Sequence, residues 1–253
     1  GEVSELILVA QDITRYGTDI YGTPKLVELL RALSSLDGIN SIRLLYCYPD
    51  MLTDELIDEI ANNDKIIKYI DIPLQHASDG VLKRMNRRGT TESYLTLVNK
   101  LKEKVPGIAI RSTFIAGFPG ESEADVDALI SFLQKAELFN AGFFAYSREE
   151  GTPAYRLDGQ LPAKVKRERV KKLYGVQKEI SKNNLAKFKG KVINVVCDGI
   201  DYDGQRFFGR AYFQAPDIDG NVFFKSDETV AQGQTYRVKI TRTGAYDLFG
   251  RTV

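Results

Sequence analysis

The sequence predicts an α/β fold in which a partial parallel (β/α) barrel is followed by a small all-β barrel. Two observations support this prediction. Through roughly the first 150 residues, apolar strand-type runs alternate with helical patterns, as in parallel sheets with helical crossovers. From residue 190 onward, five short strand-type runs are instead separated by glycine-containing turns, which is typical of a small barrel of OB-like size.

The predicted strands of the first region are nearly continuous apolar runs, as expected when both faces of a sheet are covered. They lie at 5–11, 42–48, 67–74, 108–116 and 141–147, and a helical pattern follows each of the first four. A complete (β/α)8 barrel usually takes about 200–250 residues. Five strands in this shorter stretch therefore predict an open or partial barrel.

The charge distribution divides the chain into residues 1–161, 162–189 and 190–253. These pieces carry 17, 10 and 8 Lys+Arg against 24, 2 and 8 Asp+Glu. The basic middle piece predicts one long helix that starts at a proline, a favoured early helix position. Its predicted apolar stripe consists of Leu161, Val165, Val170, Leu173, Val176 and Ile180. The lysine-rich faces are compatible with plain solvation and with contact to nucleic acid.

Composition narrows the class of protein. No apolar run approaches the roughly 18–20 residues that span a bilayer, so we expect no membrane association. Cys47 and Cys197 lie far apart, which argues against a disulfide framework and favours a reducing, cytoplasmic location. Because His76 is the only histidine, no histidine-based metal site or catalytic triad can be built.

The most informative segment joins a strand to a helix through glycines. The strand-type run Arg111–Ala116 continues into Gly117-Phe118-Pro119-Gly120-Glu121, and a helical pattern follows. This order places backbone N–H groups and a positive dipole end at the carboxyl end of a strand. Since parallel α/β proteins bind ligands at that end, the segment predicts a small-molecule site.

Several segments together resemble the methylthiotransferase family of radical S-adenosylmethionine (SAM) enzymes, and its RimO branch most closely. They occur in the family's order and span almost the whole chain. The matching segments are ILVAQDITRYG (7–17), YIDIPLQHASDGVLKRMNR (69–87), RSTFIAGFPGE (111–121), FAYSREEGT (144–152) and GRAYFQAPDIDG (209–220). The resemblance implies a radical SAM partial barrel followed by a TRAM β-barrel.

One departure from the family pattern is important. The radical SAM signature C-x-x-x-C-x-x-C, which holds a [4Fe–4S] cluster, does not occur here. The family's N-terminal domain, with three cysteines for a second cluster, has no counterpart either. We therefore expect a fragment that begins after the first barrel strand and its cysteine loop, and that is inactive alone. The intact protein would contain two [4Fe–4S] clusters, whose ligands are not in this chain.

By the resemblance, SAM and substrate would bind at the strand ends. The implied cofactor-binding residues are Gln11, Gln75, Arg111, Thr113, Gly117, Pro119, Gly120, Glu121 and Tyr146. Asp12, Tyr16 and His76 would line the mouth through which the substrate enters. No catalytic or metal-binding residue is expected within this chain. Each of these residues also has an ordinary structural interpretation, such as a strand end, a helix first turn or an ion pair.

The resemblance implies an enzyme that adds a methylthio group to the β-carbon of an aspartate in ribosomal protein S-twelve. One SAM would supply the methyl group, and a second would supply a 5′-deoxyadenosyl radical. Two alternatives stay open: the tRNA adenosine methylthiotransferase branch and a non-catalytic binding module. The balanced charge of residues 190–253 favours a basic protein over RNA as the partner. The basic helix keeps ribosomal RNA contact through 162–189 as a possibility.

Overall fold

The computed structural model describes residues 5–201 and 205–253. Its first part contains a five-stranded, all-parallel sheet in the order β1-β2-β3-β4-β5. The strands are β1 (Leu6–Leu8), β2 (Ile42–Leu44), β3 (Ile66–Gln75), β4 (Ala109–Ala116) and β5 (Asn140–Ala145). Strand order follows chain order, as repeated βα units produce. The predicted partial parallel barrel is therefore confirmed.

Helices connect the strands and cover the sheet. They are α1 (Thr18–Tyr21), α2 (Leu26–Ser34), α3 (Asp54–Asn62), α4 (Asp79–Arg84), α5 (Thr91–Lys104) and α6 (Glu123–Ala136). Local hydrogen bonds fix where the longer helices begin. Thr90 and Ser93 form a capping box at α5, and Ser122 and Asp125 form another at α6. These caps satisfy N–H groups that would otherwise lack partners within the helix.

The first two strands are much shorter than the sequence predicts, at three residues each. β1 ends at Leu8 instead of continuing to Gln11, because Asp12 caps a 3-10 turn by accepting a hydrogen bond from the Thr14 N–H. β2 ends at Leu44, two residues before Tyr46 adopts a φ of 59°. A left-handed backbone cannot continue a strand, so the chain leaves the sheet here even though the apolar run continues.

Helix α7 (Ala163–Ala186) packs along β5 and joins the two parts of the chain. Its buried stripe differs from the predicted one. Of the six predicted residues only Leu173 is fully buried, while Val170, Val176 and Ile180 pack at its sides. The other buried positions are polar, namely Arg169, Gln177, Ser181 and Asn184, with Leu185 at the end. These polar side chains bind backbone carbonyls of the sheet domain, which apolar periodicity cannot indicate.

The second part is a closed barrel in the order β10-β8-β7-β6-β9, which closes through pairing of β10 with β9. Its strands are β6 (Val192–Ile200), β7 (Phe207–Arg210), β8 (Val222–Lys225), β9 (Thr235–Thr243) and β10 (Leu248–Thr252). All five correspond to predicted runs, so the small β-barrel is confirmed. The Asp-Gly turn signal at 203–204 lies outside the described residues.

The barrel packs directly against the parallel sheet. Leu45, Tyr69 and Ala109 of the sheet domain belong to the same buried cluster as Phe213 and Phe224 of the barrel. Buried charges reinforce this contact. Glu5 forms ion pairs with both Arg43 and Arg210, and Arg43 also donates to the Tyr212 carbonyl at 2.9 Å. Among the described residues, no helix has the length and apolar character required to cross a membrane.

Candidate functional site at the strand ends

Residues of the five parallel strands, or of the loops that follow them, surround a cavity of about 860 Å³. Val9, Ala10 and Gln11 contribute from the loop after β1, and Tyr46 and Tyr48 from the loop after β2. The remaining lining residues are Pro73 and Gln75 of β3, Arg111 and Thr113 of β4, Phe144 of β5, and Ile218 of the barrel domain. This is the position at which parallel α/β folds bind small molecules.

Gln11 and Gln75 bring two free amides to this cavity. Both side chains line the cavity wall, and neither has a hydrogen-bond partner among the described residues. Gln75 has a φ of 70°, which is uncommon for a residue other than glycine. Such strain often accompanies sites where a side chain must hold one direction. A ligand with polar ends would satisfy both amides.

Arg111 lies in the cavity wall but is already paired. Its Nη1 donates to Asp71 Oδ1 at 2.9 Å and to Thr113 Oγ1 at 3.2 Å, and its Nε lies 3.5 Å from Asp219 Oδ1. Burial acts to lower the pKa of Arg111, but the surrounding acidic groups, Asp71 foremost, raise it overall. Since two carboxylates neutralise this guanidinium, it is not an isolated cation awaiting a ligand carboxylate.

Asp219 connects the barrel domain to this wall. Its carboxylate accepts hydrogen bonds from the Tyr69 hydroxyl at 2.8 Å and from the Ala215 N–H at 2.9 Å. Burial raises the pKa of Asp219 above its ordinary value, despite the opposing effect of Arg111. The same burial raises the pKa of Tyr69 well above its ordinary value. The segment around Asp219 is thereby fixed against the sheet, with Ile218 at the cavity.

The glycine turn after β4 lies away from the cavity. The Gly117 N–H donates to both oxygens of Glu121 at 2.9 Å, and the Gly120 N–H donates to the Gly159 carbonyl at 2.9 Å. A Cβ on Gly117 would lie 2.4 Å from Lys166 Cγ of α7. The amides of both glycines are thus occupied by the protein itself in this conformation, and the whole turn, Pro119 included, is absent from the cavity lining.

Glu121 is the centre of a buried polar cluster. Arg169 of α7 donates from Nη1 to its carboxylate at 2.8 Å and to its backbone carbonyl at 2.9 Å. His76 Nε2 lies 3.4 Å from the same carboxylate, while its Nδ1 accepts from the Ser78 N–H at 2.9 Å. Burial acts to raise the pKa of Glu121, but His76, the Gly117 amide and Arg169 together hold it below its ordinary value. This cluster ties the glycine turn to α7.

The three predicted mouth residues, and the predicted cofactor-binding residue Tyr146, lie outside the cavity lining. His76 is fully buried, and Asp12 binds Thr14 and Arg15 locally. Tyr16 is 43% exposed, and Tyr146 packs edge-on against Phe118 beneath Lys166. Of the predicted site residues, the structure brings together Gln11, Gln75, Arg111 and Thr113 at the cavity. Whether each of the predicted residues contacts a ligand stays a prediction.

Sequence reasoning missed three buried charges that shape the site: Asp71, Arg169 and Asp219. The sequence contains an indication for two of them. Asp71 interrupts the apolar run of β3, and a charge inside such a run indicates a buried ion pair. Arg169 precedes Leu173 by one helical turn, so it shares the buried face of α7. For Asp219 the sequence contains none, because its importance depends on contact with a distant sheet.

The described residues do not form an iron–sulfur site. No group of three or more His, Cys, Asp or Glu residues among them is placed to hold a metal ion. Cys47 and Cys197 are both buried and unpaired, and burial raises the pKa of the Cys47 thiol well above its ordinary value. A protonated, enclosed thiol is a poor metal ligand. The residues present do not fit a cluster.

Comparisons with known proteins agree with this architecture. A profile described as Radical SAM superfamily matches residues 2–133, and a profile described as TRAM domain matches residues 190–253. The chain is 47% identical over 99% of its length to "Ribosomal protein uS12 methylthiotransferase RimO" of Acetivibrio thermocellus. It is 48% identical over 98% of its length to the protein of the same name from Clostridium botulinum strain Eklund 17B.

In each case the match covers 55% of the relative, so the chain spans about half the length of these curated relatives. Among solved structures, coproporphyrinogen III oxidase (HemN) of Escherichia coli, described as a radical SAM enzyme, aligns with a TM-score of 0.52 at 14% identity. That alignment covers 71% of this chain and 41% of HemN, and it supports the fold alone. The chain therefore belongs to the radical SAM superfamily, carries a TRAM domain at residues 190–253, and is similar to proteins named RimO methylthiotransferases.

Proposed function

We propose that this chain is the SAM-binding and substrate-binding part of a methylthiotransferase that modifies an aspartate of ribosomal protein uS12 at its β-carbon. The observation that carries the proposal is the match of 98–99% of this chain, at 47–48% identity, to proteins named as uS12 methylthiotransferases. The strand-end cavity supports the proposal, because most of its lining residues lie in the part of the chain that the radical SAM profile covers and because it can accept a small molecule such as SAM.

The cavity residues fit SAM. The free amides of Gln11 and Gln75 and the Thr113 hydroxyl provide donors and acceptors for the amino, carboxylate and ribose groups. Tyr46, which is 42% exposed, and Phe144, which is 58% exposed, offer apolar ring surface beside them. When bound, SAM would supply a methyl group for transfer and the radical chemistry that removes hydrogen from the target carbon. The protein's own part is to hold and orient these groups.

Arg111 acts as a positioning residue in this proposal. Paired with Asp71 and Asp219, its guanidinium cannot swing freely, and it holds Thr113 at the cavity through the 3.2 Å hydrogen bond. The buried cluster around Glu121 fixes the turn after β4 on the neighbouring side. Such support keeps groups at a site within the small tolerances that catalysis requires.

The proposed setting is the cytoplasm, where uS12 is made, with uS12 either free or on the small ribosomal subunit. The test is mass spectrometry of uS12 and of tRNA from a strain that lacks the gene. We expect uS12 to lose about 46 Da, the difference between SCH₃ and the hydrogen it replaces, and tRNA to be unchanged. Loss of that mass from tRNA instead would overturn the proposal in favour of the tRNA adenosine branch.

A further inference from the structure

A second cavity, of about 460 Å³, adjoins the strand-end cavity. It lies between β5, α7 and the barrel segment 217–220. The two cavities share three wall residues, Arg111, Phe144 and Ile218. They are therefore neighbouring parts of one cleft, and a single extended chain could occupy both.

The second cavity has an aromatic rim. Tyr174 of α7 is 41% exposed and Tyr246 of the barrel is 43% exposed, and both line the opening with Phe144. Tyr174 is held in place because its hydroxyl accepts a hydrogen bond from the Phe143 N–H at 3.3 Å. Exposed aromatic side chains gathered at one cleft are typical of a protein-binding site and attract cations to their ring faces.

The charge at this cavity is negative. Arg111 is the only basic residue in the lining, and Asp71 and Asp219 already pair with it. Asp217 is exposed, has a φ of 61° and has no ion-pair or hydrogen-bond partner within residues 5–201 and 205–253. An unpaired carboxylate beside tyrosine rings is an arrangement that suits a lysine or arginine side chain.

We infer that the second cavity binds a basic side chain of the protein substrate while the residue to be modified lies at the strand-end cavity. This inference rests on the proposed function, because it needs a protein substrate, and it deepens it by assigning a specificity site. An extended peptide advances about 3.3 Å per residue. Since the cavities share walls, the basic residue would stand close to the target residue in the substrate sequence.

The test compares two matched aspartates of the same barrel. Asp217→Asn removes the carboxylate from the cavity, and asparagine tolerates a positive φ, so we expect the variant to fold. Asp227→Asn removes an equally negative side chain that is 93% exposed, forms an ion pair with the exposed Arg251 and lines none of the described cavities. Circular dichroism checks folding, and fluorescence anisotropy measures binding of labelled, purified uS12 to the 253-residue chain.

We expect Asp217→Asn to weaken uS12 binding about five- to tenfold at low salt, and Asp227→Asn to change it less than about twofold. The effect of Asp217→Asn should shrink as salt concentration rises. Equal effects of the two variants would show only general charge attraction and would overturn the inference. So would tighter binding of a labelled single-stranded RNA to Asp217→Asn with uS12 binding unchanged, because the cleft would then face RNA.

The two proposals can fail separately. If deletion of the gene leaves the methylthio group on uS12 but Asp217→Asn still selectively weakens uS12 binding, the proposed function fails and the basic-residue site stands. If deletion removes the modification but Asp217→Asn binds uS12 as the unaltered chain does, the site assignment alone fails.

Discussion

Replacing Arg169 with methionine should destabilise the protein severely. The side chains of Arg169 and Glu121 are 8% and 0% exposed, and Arg169 donates to the Glu121 carboxylate and carbonyl at 2.8 and 2.9 Å. Arg169→Met keeps much of the side-chain volume but leaves a buried carboxylate without its cation. Removing one partner of a buried ion pair costs about 3–5 kcal/mol. That is a large part of the roughly 5–15 kcal/mol by which domains are stable.

Urea unfolding followed by circular dichroism measures this loss. The double variant Glu121→Gln with Arg169→Met should recover part of it, because no charge then stays buried and unpaired. Arg167→Met is the matched control, since Arg167 is an exposed arginine of the same helix, and it should change stability by less than about 0.5 kcal/mol. A loss below about 1 kcal/mol for Arg169→Met, or no recovery in the double variant, would refute this account of the cluster.

Three further predictions concern stability. The pKa of Glu121 is held below its ordinary value of 4.5, so below that pH the unfolded chain binds more protons than the folded one and the free energy of unfolding should fall. Urea titrations at pH 6 and pH 4 measure this fall, which should be smaller for Glu121→Gln. Gly117→Ala should lower the free energy of unfolding by about 2 kcal/mol for placing alanine at a φ of 79°, and by a further amount for the clash with α7. Gly151→Ala, at a φ of 81° in open space, should lose only the contribution of the positive φ, and equal losses for the two variants would exclude the clash. Asp219→Asn should lower the free energy of unfolding by only about 1–2 kcal/mol, less than Arg169→Met. Burial already disfavours the charged form of Asp219 and raises its pKa, so little is lost when the charge is removed, and a larger loss in urea unfolding would contradict this.

The parallel sheet was largely predictable because its signals are local. The runs at 67–74 and 108–116 are rich in apolar residues, and the structure forms β3 and β4 there. The capping residues Thr90 and Ser122 act on N–H groups three positions away, so their effect is also visible in the sequence. The end of β2 was not predictable, because the left-handed backbone at Tyr46 leaves the apolar pattern unchanged.

The candidate site was predictable only in part. Gln11 and Gln75 meet at one cavity because they lie at or just after the carboxyl ends of parallel strands of one sheet. Arg111 and Thr113 reach it from the same face of β4, two residues apart. The glycine turn at 117–121 also follows a strand end and was therefore predicted to bind a ligand, yet Glu121 and the Gly159 carbonyl accept the hydrogen bonds of its glycine N–H groups. The cation that binds Glu121 stands 48 residues later in the chain, and no local pattern connects the two.

By itself, the sequence determined the sheet, the terminal barrel and the edge at which polar strand-end residues gather, since periodicity and capping act over a few neighbouring residues. Only the tertiary structure decided which charges neutralise one another. The pairing of Arg111 with Asp219 joins the sheet to the barrel, and it leaves Asp217 as the unpaired charge beside the cleft. Ion pairs depend on distance in space, and residues far apart in the chain come within that distance only when both domains have packed.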